Sequence, residues 1–271
     1  MGDANKNDVL RGFLAAPANS VTREAMYFNR LYFELKLAAA RRSYALSIFE
    51  PEVDRDGFDI ILDDHDSERR FQLKTVTENA TTASWKIHKR LIRPAPNDGE
   101  AAGWVPMTWG LGGGLLVLVI SLDDPSRPIS YRYTDWFIMN AFAEGLIRKR
   151  SRNHIAFRKE CYDFLCHLTN GLGSERITIP KRFLLKPIDV DNLLALAGFH
   201  SSVNVYQPFA NFMDLFRLKA RISQNGLMLE NGDIQLAAKL EHAAVQLLSI
   251  VDEPRFVGFE IPDALKENRA I

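Results

Sequence analysis

The chain has 271 residues, 46% of them hydrophobic, so it can fill the core of one large domain or of a domain with a substantial extension. Its 34 basic and 34 acidic residues cancel, which excludes a uniformly cationic protein that coats nucleic acid indiscriminately. The longest uninterrupted apolar run, 115–120, is far below the roughly 20 residues of a membrane helix, so no membrane span is predicted.

The first predicted elements are an arm, a long helix and a short strand. Residues 1–20 are polar, rich in small residues and interrupted by Pro17, which predicts a flexible arm. Residues 22–42 contain no Pro or Gly and are rich in helix-forming residues, so they predict a long helix with Ser20 or Thr22 as N-cap. The segment 43–50 is a candidate for a short strand.

The stretch 57–76, GFDIILDDHDSERRFQLKTV, predicts two antiparallel strands joined by a turn at 64–68. Side chains alternate between the faces of a strand, so Asp59, Gln72 and Lys74 converge on one face and the large apolar residues share the other. Taken alone, such a polar face is equally typical of a hairpin that is simply solvated.

Glu34 in the predicted helix adds a second observation. A carboxylate avoids apolar surroundings unless it has a partner. The neighbours of Glu34 at helical spacing are apolar: Tyr27, Leu31, Leu37 and Ala38. Strand and helix rises place Asp59 level with the middle of this helix, within about a turn or two of Glu34. Glu24 is the alternative helix carboxylate.

Two basic segments and a loop follow the hairpin region. The basic segments are SWKIHKRLIR at 84–93 and IRKRSRNHIAFRK at 147–159, and each alone is typical of a solvated surface. Residues 94–114 are rich in Gly, Pro and Ala and predict a flexible loop. Its GLGGG at 110–114 precedes a strand rather than following one, which argues against a phosphate-binding loop.

The remaining predicted elements begin with GLLVLVISL at 114–122, which is apolar on both faces and predicts a buried central strand. SYRYTDW at 130–136 predicts a further strand that leads into a helix. Beyond about residue 150 the pattern predicts mixed helices, a short strand at 175–180 and an amphipathic helix at 233–251.

The chain thus divides into an arm at 1–20, a domain at 21–148 and an α-rich part at 149–271, which is either a small domain or an extension packed on the first. Cys161 and Cys166 are too few for a disulfide framework, and with no export signal they fit a reducing cytoplasm as core thiols. With His167 they lack the four ligands of a structural zinc site.

Glu34 in a helix, Gly57-Phe58-Asp59 opening a strand and Gln72-Leu73-Lys74 on the next strand together resemble the PD-(D/E)xK nuclease superfamily. The resemblance covers roughly residues 20–140. It implies an α/β, restriction-endonuclease-like fold with a mixed sheet flanked by helices, followed here by a mostly helical C-terminal extension.

The resemblance also implies a catalytic site. Asp59 would ligate a divalent metal ion, Mg²⁺ or Mn²⁺, with Gln72 at the family's second acidic position and the main-chain carbonyl of Leu73 completing the ligand set. Glu34 would be an additional metal-binding carboxylate, and Lys74 would act near the attacking water or the developing charge. Gln72 carries no negative charge, so activity would depend on Glu34.

The function implied is a metal-dependent nuclease that hydrolyses DNA phosphodiester bonds, as in bacterial defence, restriction or mobile-element systems, working as a homodimer or with partner proteins. The superfamily often places a DNA-facing helix or loop directly after the Q-x-K strand, where the candidate DNA-binding residues are Trp85, Lys86, Lys89, Arg90 and Arg93. Two alternatives remain: an inactive nuclease-fold module that binds nucleic acid or partner proteins, and an unrelated α/β protein with a solvated hairpin.

Overall fold

The structure is a computed structural model, and it describes residues 2–52, 57–96, 109–122, 124, 127–150, 153–170, 173–200, 242 and 245–259. It shows a mixed α/β protein with a five-stranded mixed sheet flanked by helices. Among the described residues, no helix combines the length and apolar character needed to cross a membrane.

The helices alternate with strands along most of the chain. Their bounds are Gly2–Ala15 (α1), Ser20–Arg41 (α2), Lys89–Ile92 (α3), Trp136–Ala143 (α4), His154–Thr169 (α5) and Val190–Ala197 (α6). Short 3₁₀ turns cover Pro17–Asn19 and Lys181–Phe183, and residues 245–250 are also helical.

The strands form one main sheet and two small ribbons. Their bounds are Ser47–Phe49 (β1), Ile60–Asp63 (β2), Glu68–Thr77 (β3), Ser84–His88 (β4), Gly114–Ile120 (β5), Ser130–Asp135 (β6), Ile147–Lys149 (β7), Arg176–Pro180 (β8) and Phe256–Phe259 (β9). The main sheet has the order β1-β2-β3-β5-β6, in which only the β3–β5 pair is parallel. The ribbons pair β4 with β8 and β7 with β9, both antiparallel.

The predicted helix and hairpin are both present. α2 agrees with the predicted helix to within two residues at each end. β2 and β3 pair antiparallel with Ile60 opposite Phe71, and residues 64–67 make the turn. Ile60, Leu62, Phe71 and Leu73 are buried, so the apolar face of the hairpin faces the core as predicted.

The N-terminal segment differs from the prediction of a flexible arm. Residues 2–15 form α1, and Leu14 near its end is fully buried. The guanidinium of Arg23 donates a hydrogen bond to the carbonyl of Leu14, which ties α1 to α2. One buried leucine with this tertiary bond stabilises a helix that the local composition does not favour.

The end of the glycine-rich segment is also more ordered than predicted. The N–H groups of residues 110–113 donate to main-chain carbonyls of residues 90–94 at 2.8–2.9 Å. A Cβ at Gly110 would lie 2.4 Å from the Arg90 carbonyl oxygen, so this close approach requires glycine. The rest of the predicted loop, 97–108, lies outside the described residues.

The second half of the chain packs directly on the first. β8 pairs with β4, and the main chains of Tyr133 and Leu185 exchange two hydrogen bonds of 2.8 Å. Buried residues from both halves belong to a single hydrophobic cluster. The predicted helix at 233–251 lies outside the described residues except for 242 and the stretch from 245 onward, which is helical as far as residue 250.

Asp64 connects the β2–β3 turn to the segment after α6. One carboxylate oxygen accepts from the main-chain N–H groups of Asp66 and Ser67, at 3.2 and 2.8 Å. The other accepts from the His200 N–H at 3.0 Å and lies 2.9 Å from His200 Nδ1. Burial alone would raise the pKa of Asp64, but the hydrogen bonds from His200 and the turn outweigh it and lower the pKa overall.

Asp64→Asn should therefore lower the free energy of unfolding at pH 7 by about 1–3 kcal/mol. Because the folded-state pKa is lowered, the wild-type advantage is present above the unfolded-state pKa of about 3.9 and is lost as pH falls through the folded-state pKa. Urea unfolding from neutral to acidic pH measures the difference. Asp66→Asn, which alters a carboxylate with 62% of its side chain exposed, is the control and should change stability much less. Equal urea midpoints for Asp64→Asn and wild type at pH 7 would contradict the assignment.

Candidate functional site

Asp59 lies just before β2, where the regular pairing with β3 ends. Its N–H donates to the Phe71 carbonyl at 2.8 Å, and its Oδ2 accepts from the Leu73 N–H at 2.6 Å. The carboxylate thus occupies a position that a main-chain carbonyl of the neighbouring strand fills in a regular ladder. A hydrogen bond to an ionised acceptor at this distance fixes the carboxylate beside the β3 backbone.

Gln72 and Lys74 lie on the face of β3 opposite Phe71 and Leu73. Gln72 is 8% exposed, and its Oε1 makes no hydrogen bond with any of the described residues. A buried amide oxygen without a donor costs free energy, which makes it a candidate ligand for a cation or an external donor. The half-buried Lys74 side chain makes no hydrogen bond or ion pair with the described part of the chain.

Glu34 has partners within the protein. Its Oε1 accepts from Arg30 Nε at 2.9 Å, one turn earlier on α2. Its Oε2 accepts a hydrogen bond from the Tyr131 hydroxyl on β6. Burial raises the pKa of Tyr131 far above its ordinary value, and the hydrogen bond to Glu34 and the charge of Glu34 add to this shift. The Glu34 carboxylate lies among apolar neighbours and therefore needs polar partners. These partners are the Tyr131 hydroxyl and the Arg30 guanidinium.

The strand register shows that Glu34 and Lys74 lie on opposite faces of the sheet. Tyr131 pairs with Leu118 and Leu118 with Thr75, so these three side chains share the face that Glu34 contacts. Lys74 precedes Thr75 on the strand and points the other way. The structure brings the Asp59 carboxylate to the Leu73 N–H of β3, but it does not bring Glu34 to Lys74. Glu24, the alternative, is exposed near the start of α2.

On α2, the surroundings of Tyr32 include Asp59. Burial raises the pKa of the Tyr32 hydroxyl strongly, with further contributions from a hydrogen bond to Glu50 and from the charges of Glu50 and Asp59. Glu50 follows directly after β1, and the sequence interpretation did not include it. In the sequence, Glu50 is a carboxylate at the end of a predicted strand, just before Pro51. Many solvated glutamates occupy such a position, so this pattern does not identify a site residue.

The donors around Asp59 fit a hard divalent cation in type. A carboxylate, the unpaired Oε1 of Gln72 and the Leu73 carbonyl are oxygen ligands, as Mg²⁺ and Mn²⁺ prefer. Asp59 contributes the single full negative charge in this set. Within the described ranges, no group of three or more His, Cys, Asp or Glu side chains is arranged to hold a metal ion.

The basic segment after β3 forms β4 and α3, not an exposed DNA-facing helix or loop. Because β4 pairs with β8, alternate residues face the core, and Trp85 is only 7% exposed. Lys89 is 1% exposed, and Arg93 donates through Nε to the Leu168 carbonyl at 2.8 Å. Trp85 and Lys89 therefore cannot reach a phosphate in this structure, while Lys86 and Arg90 are exposed.

The fold and site define a mixed α/β protein whose central hairpin carries a fixed carboxylate, a buried amide and a lysine. Comparison with protein-family models, with curated proteins and with solved structures finds no match for this chain. What it can do chemically therefore follows from these side chains and from the charges around them.

A double-mutant cycle tests the position of Glu34. Glu34→Ala and Tyr131→Phe remove the two ends of one hydrogen bond, so their effects on the free energy of unfolding should be non-additive by about 0.5–3 kcal/mol in urea titrations. The control pairs Glu24→Ala with Tyr131→Phe, because exposed Glu24 has no bond to that tyrosine. Additive effects in the Glu34 cycle would place its carboxylate elsewhere.

Proposed function

We propose that this protein is a Mg²⁺-dependent nuclease that hydrolyses DNA phosphodiester bonds through Asp59, Gln72 and Lys74. One observation carries the proposal: the Asp59 carboxylate is fixed on the Leu73 N–H at 2.6 Å, and Gln72, the preceding residue of β3, has a buried Oε1 that makes no hydrogen bond with the described residues. A solvated hairpin needs neither feature, because its carboxylate would face water and its amide would be hydrated.

Three oxygen donors would hold the ion: the Asp59 carboxylate, Gln72 Oε1 and the Leu73 carbonyl. When bound, Mg²⁺ polarises a phosphate and lowers the pKa of a coordinated water. Lys74 has no partner among the described residues and can place its charge where negative charge develops on the phosphate. The bond from Leu73 holds Asp59 in place before any ligand arrives, so little reorganisation accompanies binding.

The proposed site carries less negative charge than a site with acidic residues at both position 59 and position 72. Glu34 is bonded to Tyr131 and Arg30 on the other face, and Gln72 is neutral. Magnesium usually keeps several waters and completes its coordination with substrate phosphate oxygens. A site with one carboxylate should therefore bind the ion weakly alone and more tightly together with DNA.

The position of Glu34 also favours a second candidate function, a catalytically inactive module of the same fold that binds nucleic acid or partner proteins. In that case Lys74 would hold a phosphate without any cleavage. Purified wild-type protein that binds DNA and shows no cleavage with Mg²⁺ or Mn²⁺ would support this candidate over the nuclease.

Substitution of the hairpin residues tests the nuclease. Asp59→Asn and Lys74→Gln should each lower the rate of Mg²⁺-dependent DNA cleavage by about 10²–10³-fold, because each removes a charge that acts on the transition state. Asp63→Asn is the matched control, since this half-buried carboxylate ends β2 and, among the described residues, accepts a hydrogen bond from the His65 N–H alone, at 2.7 Å. Wild-type cleavage rates in Asp59→Asn would refute the site.

Metal binding can be tested without activity through Gln72. Gln72→Glu places a second carboxylate beside Asp59, so in EDTA it should lower the melting temperature by several degrees. Millimolar Mg²⁺ should then raise the melting temperature of Gln72→Glu more than that of wild type, because the ion binds the folded state and offsets the repulsion.

Gln72→Leu is the matched control in the same melting experiment. It removes the unpaired oxygen, so it should be neutral or stabilising in EDTA and respond least to Mg²⁺. Equal Mg²⁺ shifts in wild type, Gln72→Glu and Gln72→Leu would show that Gln72 does not face a metal site.

A further inference from the structure

A cavity of about 530 Å³ lies beside β6, on the side of the molecule where the chain continues after β3. Its volume is within the range of pockets that hold nucleotide-sized ligands. The lining comes from the turn after β3, from β6, β7 and α5, and from two later segments. The charged residues of the described lining are Arg132, Lys149, Arg150, Lys181, Arg182, Arg255 and Glu253.

The charge of this lining is strongly one-sided, with six basic residues and one acidic residue. The acid, Glu253, is already used, because its Oε1 lies 3.3 Å from Lys149 Nζ and both side chains are largely buried. Burial lowers the pKa of Lys149; Glu253 opposes this shift and repulsion from Arg132 adds to it. Arg182 is paired as well, with Glu160 on α5.

Four of the cations have no hydrogen-bond or ion-pair partner among the described residues. The side chains of Arg132, Arg150, Lys181 and Arg255 make no hydrogen bond or ion pair with any residue that the structure describes. The Arg150 N–H donates to the Arg255 carbonyl, which holds these two arginines next to each other. In a chain with no net charge, four uncompensated cations around one cavity repel each other, and a bound anion would relieve that repulsion.

This cavity shares a sheet face with the hairpin site. Lys74 pairs with Val117 and Val117 with Arg132, so the three side chains form one row across β3, β5 and β6. The strand spacing separates the Lys74 and Arg132 main chains by about 10 Å, so one nucleic-acid strand can contact both side chains. Cations therefore follow one another from the hairpin to the cavity.

We propose that the cavity binds the phosphates of a DNA strand that continues from the phosphate held near Lys74. Three of the unpaired cations are arginines, whose planar groups can grip phosphate oxygens in pairs. That this strand is the substrate rests on the proposed nuclease function, whereas binding itself does not. A free nucleoside polyphosphate offers the same chemistry, but it would not require the row that connects the cavity to Lys74.

Fluorescence anisotropy with a labelled oligonucleotide in EDTA measures binding without cleavage. Arg132→Gln combined with Arg255→Gln should raise the Kd at least tenfold. It should also reduce the slope of log Kd against log salt by roughly 0.7 for each lost contact on a single strand, or about 0.9 on a duplex. Arg41→Gln combined with Arg42→Gln removes two exposed cations at the end of α2 and should leave the Kd within about twofold.

Stability and a second pair of variants keep this test decisive. Circular dichroism should show Arg132→Gln/Arg255→Gln melting at or above the wild-type temperature, because neither side chain has a hydrogen-bond or ion-pair partner among the described residues. If that pair unfolds, Arg150→Gln/Lys181→Gln removes two other cations from the same cavity and should weaken binding similarly. Wild-type Kd and salt slope in a folded cavity variant would overturn the proposal.

Two further measurements distinguish a DNA strand from a small phosphorylated ligand, and DNA binding from DNA cleavage. Inorganic pyrophosphate or ATP that binds the cavity as tightly as the oligonucleotide would assign it to a small phosphorylated ligand and overturn the strand proposal. Cavity-dependent binding without any cleavage by wild type would refute the nuclease alone and leave the DNA-binding cavity in place.

Discussion

The parallel pairing of β3 with β5 decides which side chains can meet in this protein. Seven consecutive residue pairs, from Phe71–Gly114 to Thr77–Ile120, fix the register between the hairpin and the later strands. Because side chains alternate, a shift of one residue would exchange the two faces of the sheet. With the observed register, α2 contacts the face that carries Thr75 and Tyr131, and the other face carries Gln72 and Lys74.

This division determines the electrostatics of the candidate site. A partly buried carboxylate on α2 must find donors on its own side of the sheet, and Glu34 finds Tyr131 and Arg30. The Asp59 carboxylate instead accepts a hydrogen bond from the nearby main-chain N–H of Leu73 on β3. The hairpin therefore carries one carboxylate, Asp59, and one neutral amide, Gln72. A single carboxylate does not neutralise both Lys74 and the cations of the cavity beside β6. Such a site is suited to a ligand that brings its own negative charge.

Basic residues illustrate how little a run of charges in sequence says about a surface. The segment after β3 is basic, yet the pairing of β4 with β8 turns Trp85 inward, and Lys89 is in the core as well. The cavity beside β6, in contrast, gathers Arg132, Lys181 and Arg255 from segments far apart in the chain. No local pattern connects these residues, since strand pairing and helix packing bring them together.

The sequence by itself determined what depends on near neighbours. Composition predicted α2, alternation and turn residues predicted the β2–β3 hairpin, and an apolar run predicted β5, because these signals are local. Tertiary structure alone decided whether distant residues share a face: it separated Glu34 from Lys74 and aligned Lys74 with Arg132. It also ordered α1 through a buried leucine. The strand register, side-chain burial and pairing between distant segments cause these differences. None of the three can be predicted from the residues that are neighbours in the sequence.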